Sequence, residues 1–462
     1  MKIIIIGCGK VGRTLTEQLA TEAHNITVID TNPKKIQEVT EDLDVLGITG
    51  NGASISTLQE AGVEQADILI SVTGSDELNL LCCLIAKKAS RCQTVARVRN
   101  PMYSQEIDFI KAQMGVSMII NPELATALEI SRLLRFPAAI KVDNFSGGRI
   151  QLVKLKLDRR IPVGGMKVMD LPKRSGSDIL VCAVERDDTV YIPDGSFVLR
   201  ENDTISFVAA GDNVVRFLKA FSLPAAPVKS VIIVGGGTIG YYLAKQLSKT
   251  GMRIRIVENN LERCEFLSEM LPEDVTVIHG DGTDRHLLME EGLGQAEAFV
   301  TLTNLDEENI LLALFAKKNS GAKLISKENP FLEDVKKTYP AVFSACFAAG
   351  SVIYPKYLTA DYIIQHIRTM RHSAANTIET LYRLLDNRVE ALEFSILESC
   401  PVTNIPLSEL RLKPGYLICC IRRGEQAFIP GGSDSIQVGD SVIVVTLERG
   451  RHDILDILEG RR

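Results

Sequence analysis

No stretch of this chain approaches the ~20 consecutive apolar residues needed to span a bilayer, which excludes a membrane-spanning helix. Nor is there a block of Lys or Arg. The formal net charge is −6, and the closing Arg461-Arg462 is too short to draw a nucleic-acid partner. The ten cysteines never form a C-x-x-C pair. Cys82-Cys83 and Cys419-Cys420 are neighbours in apolar surroundings, the pattern of buried reduced thiols rather than of disulfides or zinc ligands. The six histidines make no H-x-x-x-H or H-E-x-x-H pattern, so no metal site is expected. Gly-Lys-Ser/Thr is missing as well, which removes a P-loop ATPase. Met1-Lys2-Ile3 runs straight into an apolar strand-like segment, leaving no room for a signal peptide, and the expected location is the cytosol.

What the chain does carry is a dinucleotide-binding signature, twice. Gly7-Cys8-Gly9-Lys10-Val11-Gly12 follows the apolar run Ile3–Ile6, and Gly235-Gly236-Gly237-Thr238-Ile239-Gly240 follows Val231–Val234. In G-x-G-x-x-G the first glycine permits a turn, the second lets backbone approach a pyrophosphate, and the third lets the helix pack closely on the sheet. The helix N-terminus then offers unpaired N–H groups to phosphate. Asp30 closes Ile26–Ile29 and Glu258 closes Ile254–Val257, each 23 residues after the first glycine of its loop. A carboxylate there accepts both hydroxyls of an adenosine ribose and repels a 2′-phosphate, favouring NAD(H) over NADP(H).

The duplication runs well past the glycines. Val72-Thr73-Gly74-Ser75-Asp76-Glu77-Leu78-Asn79 matches Leu302-Thr303-Asn304-Leu305-Asp306-Glu307-Glu308-Asn309, and Asn100-Pro101 matches Asn329-Pro330. Each copy alternates apolar strand-like runs with helical periodicity, which predicts a parallel sheet covered on both faces. A different composition follows each copy, with short alternating runs such as Gln151–Leu157 and Thr204–Val208. Asn202-Asp203-Thr204 recurs there as Gly439-Asp440-Ser441. The expected layout is two doubly wound Rossmann-like α/β domains, residues 1–138 and 229–370, each followed by a small α+β domain, residues 139–223 and 371–462. Pro224–Pro227 reads as a stiff linker between the halves. The helices near Leu124–Leu134 and Tyr357–Ile367 and the segment Ala374–Leu385 are candidates for subunit packing. The acids of Asp76-Glu77 and Asp306-Glu307-Glu308 read as solvated first turns complementing a helix dipole, not as metal ligands.

With these residues in view, the chain resembles the TrkA family, the peripheral NAD-binding regulatory subunits of Trk-type potassium uptake, which carry two tandem RCK (regulator of potassium conductance) units. The bipartite repeat carries the resemblance along essentially the whole chain. It implies a cytoplasmic subunit on the inner face of the membrane, assembled as a homo-oligomer, a tetramer by expectation, beneath a potassium-translocating membrane partner that it gates. By the same resemblance, Gly7 to Gly12 form the phosphate loop, Asp30 is the ribose acid, Thr73-Gly74 form the loop over the crevice, and Arg97 is the basic residue facing the cofactor. In the second half Gly235 to Gly240, Glu258, Asp281 and Thr303 take the matching roles.

Three departures from the family's pattern distinguish the halves. Asn51 stands where a carboxylate is usual, whereas Asp281 keeps it. By register from Asn-Pro, Arg97 corresponds to Ser326, with only Lys327 nearby. Glu258 is one methylene longer than Asp30. The expectation is NAD(H) in the first site, with ATP or ADP open for the second. No histidine, lysine or tyrosine stands out as a proton donor beside a hydride acceptor; His279, before Gly280, reads as a crevice-edge residue. The leading reading is therefore a nucleotide-sensing regulatory subunit with no catalytic residue. The alternative is an NAD-dependent oxidoreductase with two cofactor sites.

Overall fold

Ile3, Ile4, Ile5 and Ile6 are all buried, so the first strand is covered on both faces, as a central parallel strand must be. In the computed structural model it is β1 (Lys2–Ile6), followed by α1 (Lys10–Ala20), β2 (Asn25–Asp30), α2 (Pro33–Asp42), β3 (Leu46–Thr49), α3 (Ile55–Glu60), β4 (Ile68–Ser71), α4 (Asp76–Ala89), β5 (Gln93–Arg97), α5 (Ile107–Met114), β6 (Met118–Ile120) and α6 (Pro122–Arg135). The structure describes residues 1–462 except 23, 104–105, 146–147, 158–160, 162, 188, 329–349, 371–377, 385–387, 449–452 and 460–462. The strands pair in parallel in the order β3-β2-β1-β4-β5-β6. The order reverses beside β1, and a doubly wound sheet opens its crevice at the carboxyl ends of the strands flanking that point.

The small domain that follows has β7 (Lys141–Phe145), β8 (Ile150–Lys156), α7 (Leu171–Ser175), β9 (Ile179–Arg186), β10 (Thr189–Tyr191), β11 (Thr204–Ala210) and α8 (Gly211–Ala220), its antiparallel sheet ordered β10-β9-β11-β8-β7. The second half repeats both. Its parallel sheet, β14-β13-β12-β15-β16-β17, is built from β12 (Ser230–Val234), α9 (Thr238–Leu247), β13 (Arg253–Glu258), α10 (Leu261–Met270), β14 (Val275–His279), α11 (Arg285–Glu290), β15 (Ala298–Thr301), α12 (Asp306–Asn319), β16 (Lys323–Lys327), β17 (Gly350–Ile353) and α13 (Pro355–Met370). Its antiparallel sheet takes β18 (Ile378–Leu384), β19 (Val389–Ser395), β20 (Tyr416–Arg423), β21 (Gln426–Phe428) and β22 (Asp440–Thr446) in the equivalent order β18-β19-β22-β20-β21. The fold is thus two Rossmann-like domains alternating with two small α+β domains. The segment read as a linking piece, Ala374–Leu385, contributes β18 to a sheet; its remainder, with Asn329-Pro330, lies outside the described residues.

The chain divides into two compact units. One gathers the two parallel sheets, Met1–Ser131 with Lys229–Ile364. The other gathers the two antiparallel sheets, Arg132–Val228 with Gln365–Arg462. Within this second unit Phe145, Leu152 and Cys182 share one apolar core with Val389, Cys419 and Ile443. Each small domain also carries a two-pronged ion pair. The Arg186 guanidinium donates to both oxygens of Asp203 at 2.8 and 2.7 Å and to the Val198 carbonyl at 2.8 Å. Arg423 does the same to Asp440, both at 2.8 Å, and to the Ser435 carbonyl at 2.8 Å. Both carboxylates are buried, and the planar fork reaches both oxygens at once, where a lysine would reach one.

Candidate functional site

The first crevice is organised by its glycine loop. Gly7 turns the chain out of β1 at φ +101°, a conformation L side chains rarely adopt, and its N–H donates to the Ile29 carbonyl at 2.8 Å. A Cβ on Gly12 would lie 1.8 Å from the Gly7 carbonyl oxygen, so α1 can approach the sheet only through glycine. Gly9 differs. Its φ is −72°, and a Cβ there would meet nothing within 4 Å. No backbone or packing demand requires glycine at position 9, which borders open space. Gly9 is also the N-cap of α1 with no side-chain cap, leaving the helix N–H groups turned to that space.

Asp30 ends β2 over this loop. Its Oδ2 accepts from Cys8 N–H at 2.7 Å and its Oδ1 from Asn32 N–H at 2.9 Å, which fixes the carboxylate plane. Burial pushes the Cys8 thiol up to about 12, so it stays protonated. Thr73 lies on the facing loop, where Asn79 holds it. The Asn79 Oδ1 accepts from Thr73 N–H at 2.8 Å, the Thr73 hydroxyl at 2.7 Å and the Ser71 hydroxyl at 3.0 Å. The Asn79 amide then donates to the Arg97 carbonyl at 2.9 Å. One buried side chain thus sets the β4–α4 loop against the end of β5. Asn51 sits at the exposed rim, accepting from Ala53 N–H at 2.9 Å.

Beside the β4–α4 loop lies a cavity of about 550 Å³ lined by Gly74, Asp76, Arg99, Asn100, Glu123 and, from the second half, Thr238. Burial holds the Arg97 guanidinium below its ordinary pKa and lifts the Glu123 carboxyl above its own, the two drawing on each other. Asp76 is no solvated first-turn acid. It is buried, and its Oδ2 accepts from Arg99 and Asn100 N–H, both at 2.8 Å. Clustering of charge on the β5–β6 side was not legible because it joins residues of α4, β5 and α6.

The second crevice reproduces the first. Gly235 has φ +104° and donates to the Val257 carbonyl at 2.9 Å; a Gly240 Cβ would lie 2.5 Å from the Gly235 oxygen, and a Gly237 Cβ would meet nothing within 4 Å. Glu258 accepts from Gly236 N–H at 2.7 Å and Asn260 N–H at 2.9 Å, so its extra methylene leaves the anchor unchanged. Asp281 holds the rim as Asn51 does, accepting from Thr283 N–H and hydroxyl, both at 2.8 Å, which keep its carboxyl below the usual range. His279 is a rim residue, its Nε2 3.1 Å from the Asn259 carbonyl.

The register of β5 and β16 corrects one reading. Asn309 accepts from Thr303 N–H at 2.9 Å and donates to the Lys327 carbonyl at 2.8 Å, as Asn79 does to Thr73 and Arg97. Lys327, not Ser326, therefore stands in the place of Arg97, and the second crevice keeps a basic residue there. The Asn-Pro pairs misled by one position because the connection after β16 differs in length. Lys10, at the start of α1, is close enough to repel the Lys327 ammonium, which burial already holds below its ordinary pKa. Arg263 was missed altogether. Its Nε donates to the Gly236 carbonyl at 2.7 Å, and its guanidinium lies 4.5 Å from the centre of the Phe266 ring. The signal was a basic residue five positions after the acid, which the first half has as Lys35.

Glu328 replaces the first half's Val98, and this substitution carries a prediction. It is fully buried, its Oε1 hydrogen-bonded by the Ser326 hydroxyl, and burial pushes its carboxyl up to about 8. Raised above its ordinary 4.5, the group favours the folded state while protonated, and that contribution is lost as pH rises through about 8. Glu328→Gln, which cannot ionise, should therefore gain on the parent progressively between about pH 4.5 and about pH 8, with a constant lead above that. Calorimetric melts checked across that range should show the gap widening; parallel curves would mean Glu328 does not titrate there.

Comparison with known proteins agrees with this architecture. The TrkA-N domain family matches residues 3–122 and 231–329, and the TrkA-C domain family matches residues 161–222 and 391–459. The chain is 33% identical over 445 residues to the Trk system potassium uptake protein TrkA homolog of Archaeoglobus fulgidus, covering 96% of this chain and 97% of that protein. It is 33% identical over 457 residues to the Trk system potassium uptake protein TrkA of Halomonas elongata, covering 98% and 97%. Among solved structures, the GsuK channel bound to NAD shares the fold at a TM-score of 0.60 and 18% identity, over 96% of this chain and 76% of that one. The GsuK RCK domain does so at 0.59 and 18%, over 96% and 92%.

Proposed function

The chain belongs to the TrkA family, and from that premise we propose that it is a regulatory subunit that gates a Trk-type potassium transporter by binding nucleotides in its two glycine-loop crevices. The observation that carries this reading is the pairing in each crevice of an anchored acid with an open middle glycine. Asp30 and Glu258 are held by loop N–H groups, while Gly9 and Gly237 face empty space at a helix N-terminus. That is a receptor for ribose and phosphate. NAD(H) is the proposed ligand of the first crevice, where the anchored Asp30 carboxylate would accept the ribose hydroxyls and repel a 2′-phosphate. An adenine nucleotide such as ADP or ATP is proposed for the second.

The role is regulatory rather than catalytic. The Cys8 thiol is held protonated and His279 sits on the rim, so neither supplies proton transfer beside a nicotinamide. Binding without chemistry acts only through differential affinity for two conformations. A chain with two such crevices passes occupancy to something else, and the family's role makes that a potassium-translocating membrane subunit. No described helix is long and apolar enough to cross a membrane, so ion passage would belong to the partner. A homotetramer is the proposed assembly, its symmetry matching a symmetric partner.

The test joins assembly to physiology. Light scattering of the purified chain should give a multimer of four, and deletion of its gene should impair growth at low potassium, restored by the intact gene. A monomer at every nucleotide condition together with normal potassium uptake in the deletion strain would overturn the reading. Consumption of NADH with a small substrate would favour an oxidoreductase instead.

A further inference from the structure

Tyr242 carries hydrogen bonds from one glycine-loop half to the other. It lies in α9, the helix that opens at the second glycine loop, one turn beyond Thr238. Its ring is 5% exposed and packs edge-on to Tyr241, with centroids 5.5 Å apart. Its hydroxyl accepts from the Asn121 amide at 3.0 Å and donates to the Arg99 carbonyl at 3.2 Å, both in the first half. These two partners are joined to the first crevice. Arg99 N–H donates to Asp76, and the Arg99 guanidinium donates to the Gly74 carbonyl at 2.5 Å, on the loop over the site. The Asn121 Oδ1 accepts from Leu124 N–H at 2.9 Å and so fixes the first turn of α6, which presents Glu123 to the cavity. The path from the second glycine loop to Gly74 is continuous and passes through one phenolic oxygen.

In α1 the place of Tyr242 is taken by Thr14, 228 positions earlier, and in the second half the place of Asn121 is taken by Tyr354.

We propose that Tyr242 couples the two crevices, so that a ligand drawing on the second glycine loop shifts α9 and, through the Tyr242 hydroxyl, resets Arg99 and the Gly74 loop over the first. The inference rests on the reading of both crevices as nucleotide sites. Tyr242 touches neither proposed ligand; it is a positioning residue, and its signature is the coupling between sites rather than either affinity alone.

The experiment is an NADH fluorescence titration of the full chain with and without saturating ADP. It is run on the parent, on Tyr242→Phe, and on Glu258→Ala as the variant lacking the acid of the second crevice. Phenylalanine keeps the ring in its packing and removes only the oxygen. In the parent, ADP should change the NADH dissociation constant by about fivefold or more. In Tyr242→Phe the change should fall below about twofold, with each nucleotide's own affinity and the melting temperature close to the parent's. In Glu258→Ala the ADP effect should vanish. An equal ADP effect in Tyr242→Phe and parent, or no ADP effect in a parent that binds both ligands, would overturn the coupling. An effect that persists in Glu258→Ala would be competition at one site and would overturn it too. A parent that binds no NADH would overturn the reading of the crevices, and this inference with it.

Discussion

Replacing Gly9 or Gly237 by valine is expected to empty the crevice the residue sits in and leave the chain folded. Both positions have φ values an L residue adopts freely, −72° and −59°, and an added Cβ would meet nothing within 4 Å. The branched side chain would occupy the volume a pyrophosphate must enter, where backbone N–H groups need direct contact. Loss of that contact should weaken binding by about a hundredfold or more, on the order of 2.7 kcal/mol. The stability cost should be small, about 1 kcal/mol for a poor N-cap residue. Gly12→Ala and Gly240→Ala are the contrast. Their Cβ atoms would fall 1.8 and 2.5 Å from the carbonyl oxygens of Gly7 and Gly235, so those variants should lose stability first and binding as a consequence. Calorimetric titration checks this. The bound-nucleotide count should drop from two per chain to one in each valine variant, with the melting temperature little changed. A count still at two in Gly237→Val would show that the second loop holds no phosphate.

The contrast also shows what was legible in the chain before its structure. The glycine loops, the acids Asp30 and Glu258 and the alternation of strands and helices were readable because each is local. A glycine spacing fixes a turn, an apolar run covered on both faces fixes a parallel strand, and the duplication marks both twice. What escaped was contact between elements distant in sequence. Asn79 was visible as a repeated residue, but that it ties Thr73 to the Arg97 carbonyl follows only from the pairing of β4 with β5. Asp76 looked like a helix-start acid and is one, yet the loop after β5 folds over it and buries it. The matching of Arg97 to Ser326 failed because Asn-Pro lies beyond a connection of different length, whereas the ladder between β15 and β16 fixes the true register. In the small domains Gln151–Leu157 and Thr204–Val208 did become parts of neighbouring strands β8 and β11. The arginines that clamp Asp203 and Asp440 gave no local signal, since each comes from another strand.

Removing Asp30, the proposed ribose acid of the first crevice, should alter both affinity and selectivity, and the second effect is the more diagnostic. Asp30 is held by Cys8 and Asn32 N–H groups, which leaves its remaining lone pairs directed at the crevice. Ribose hydroxyls donating to that carboxylate make charged hydrogen bonds worth roughly 1.5–3 kcal/mol each. Asp30→Ala should thus weaken NADH by about a hundredfold or more. It also leaves the Cys8 N–H without its acceptor, which loosens the glycine loop and adds to the loss. NADPH responds differently. Its 2′-phosphate is repelled by the Asp30 carboxylate in the parent, and alanine removes that repulsion. The preference for NADH over NADPH should therefore shrink in Asp30→Ala, whereas a variant that merely disturbed the fold would weaken both ligands alike. Glu258→Ala should leave the first site's preference between the two dinucleotides unchanged. Fluorescence titrations with both reduced dinucleotides measure this directly. Unaltered NADH affinity in Asp30→Ala would displace the ribose from this strand end, and an unaltered ratio would show that the carboxylate does not set the selectivity.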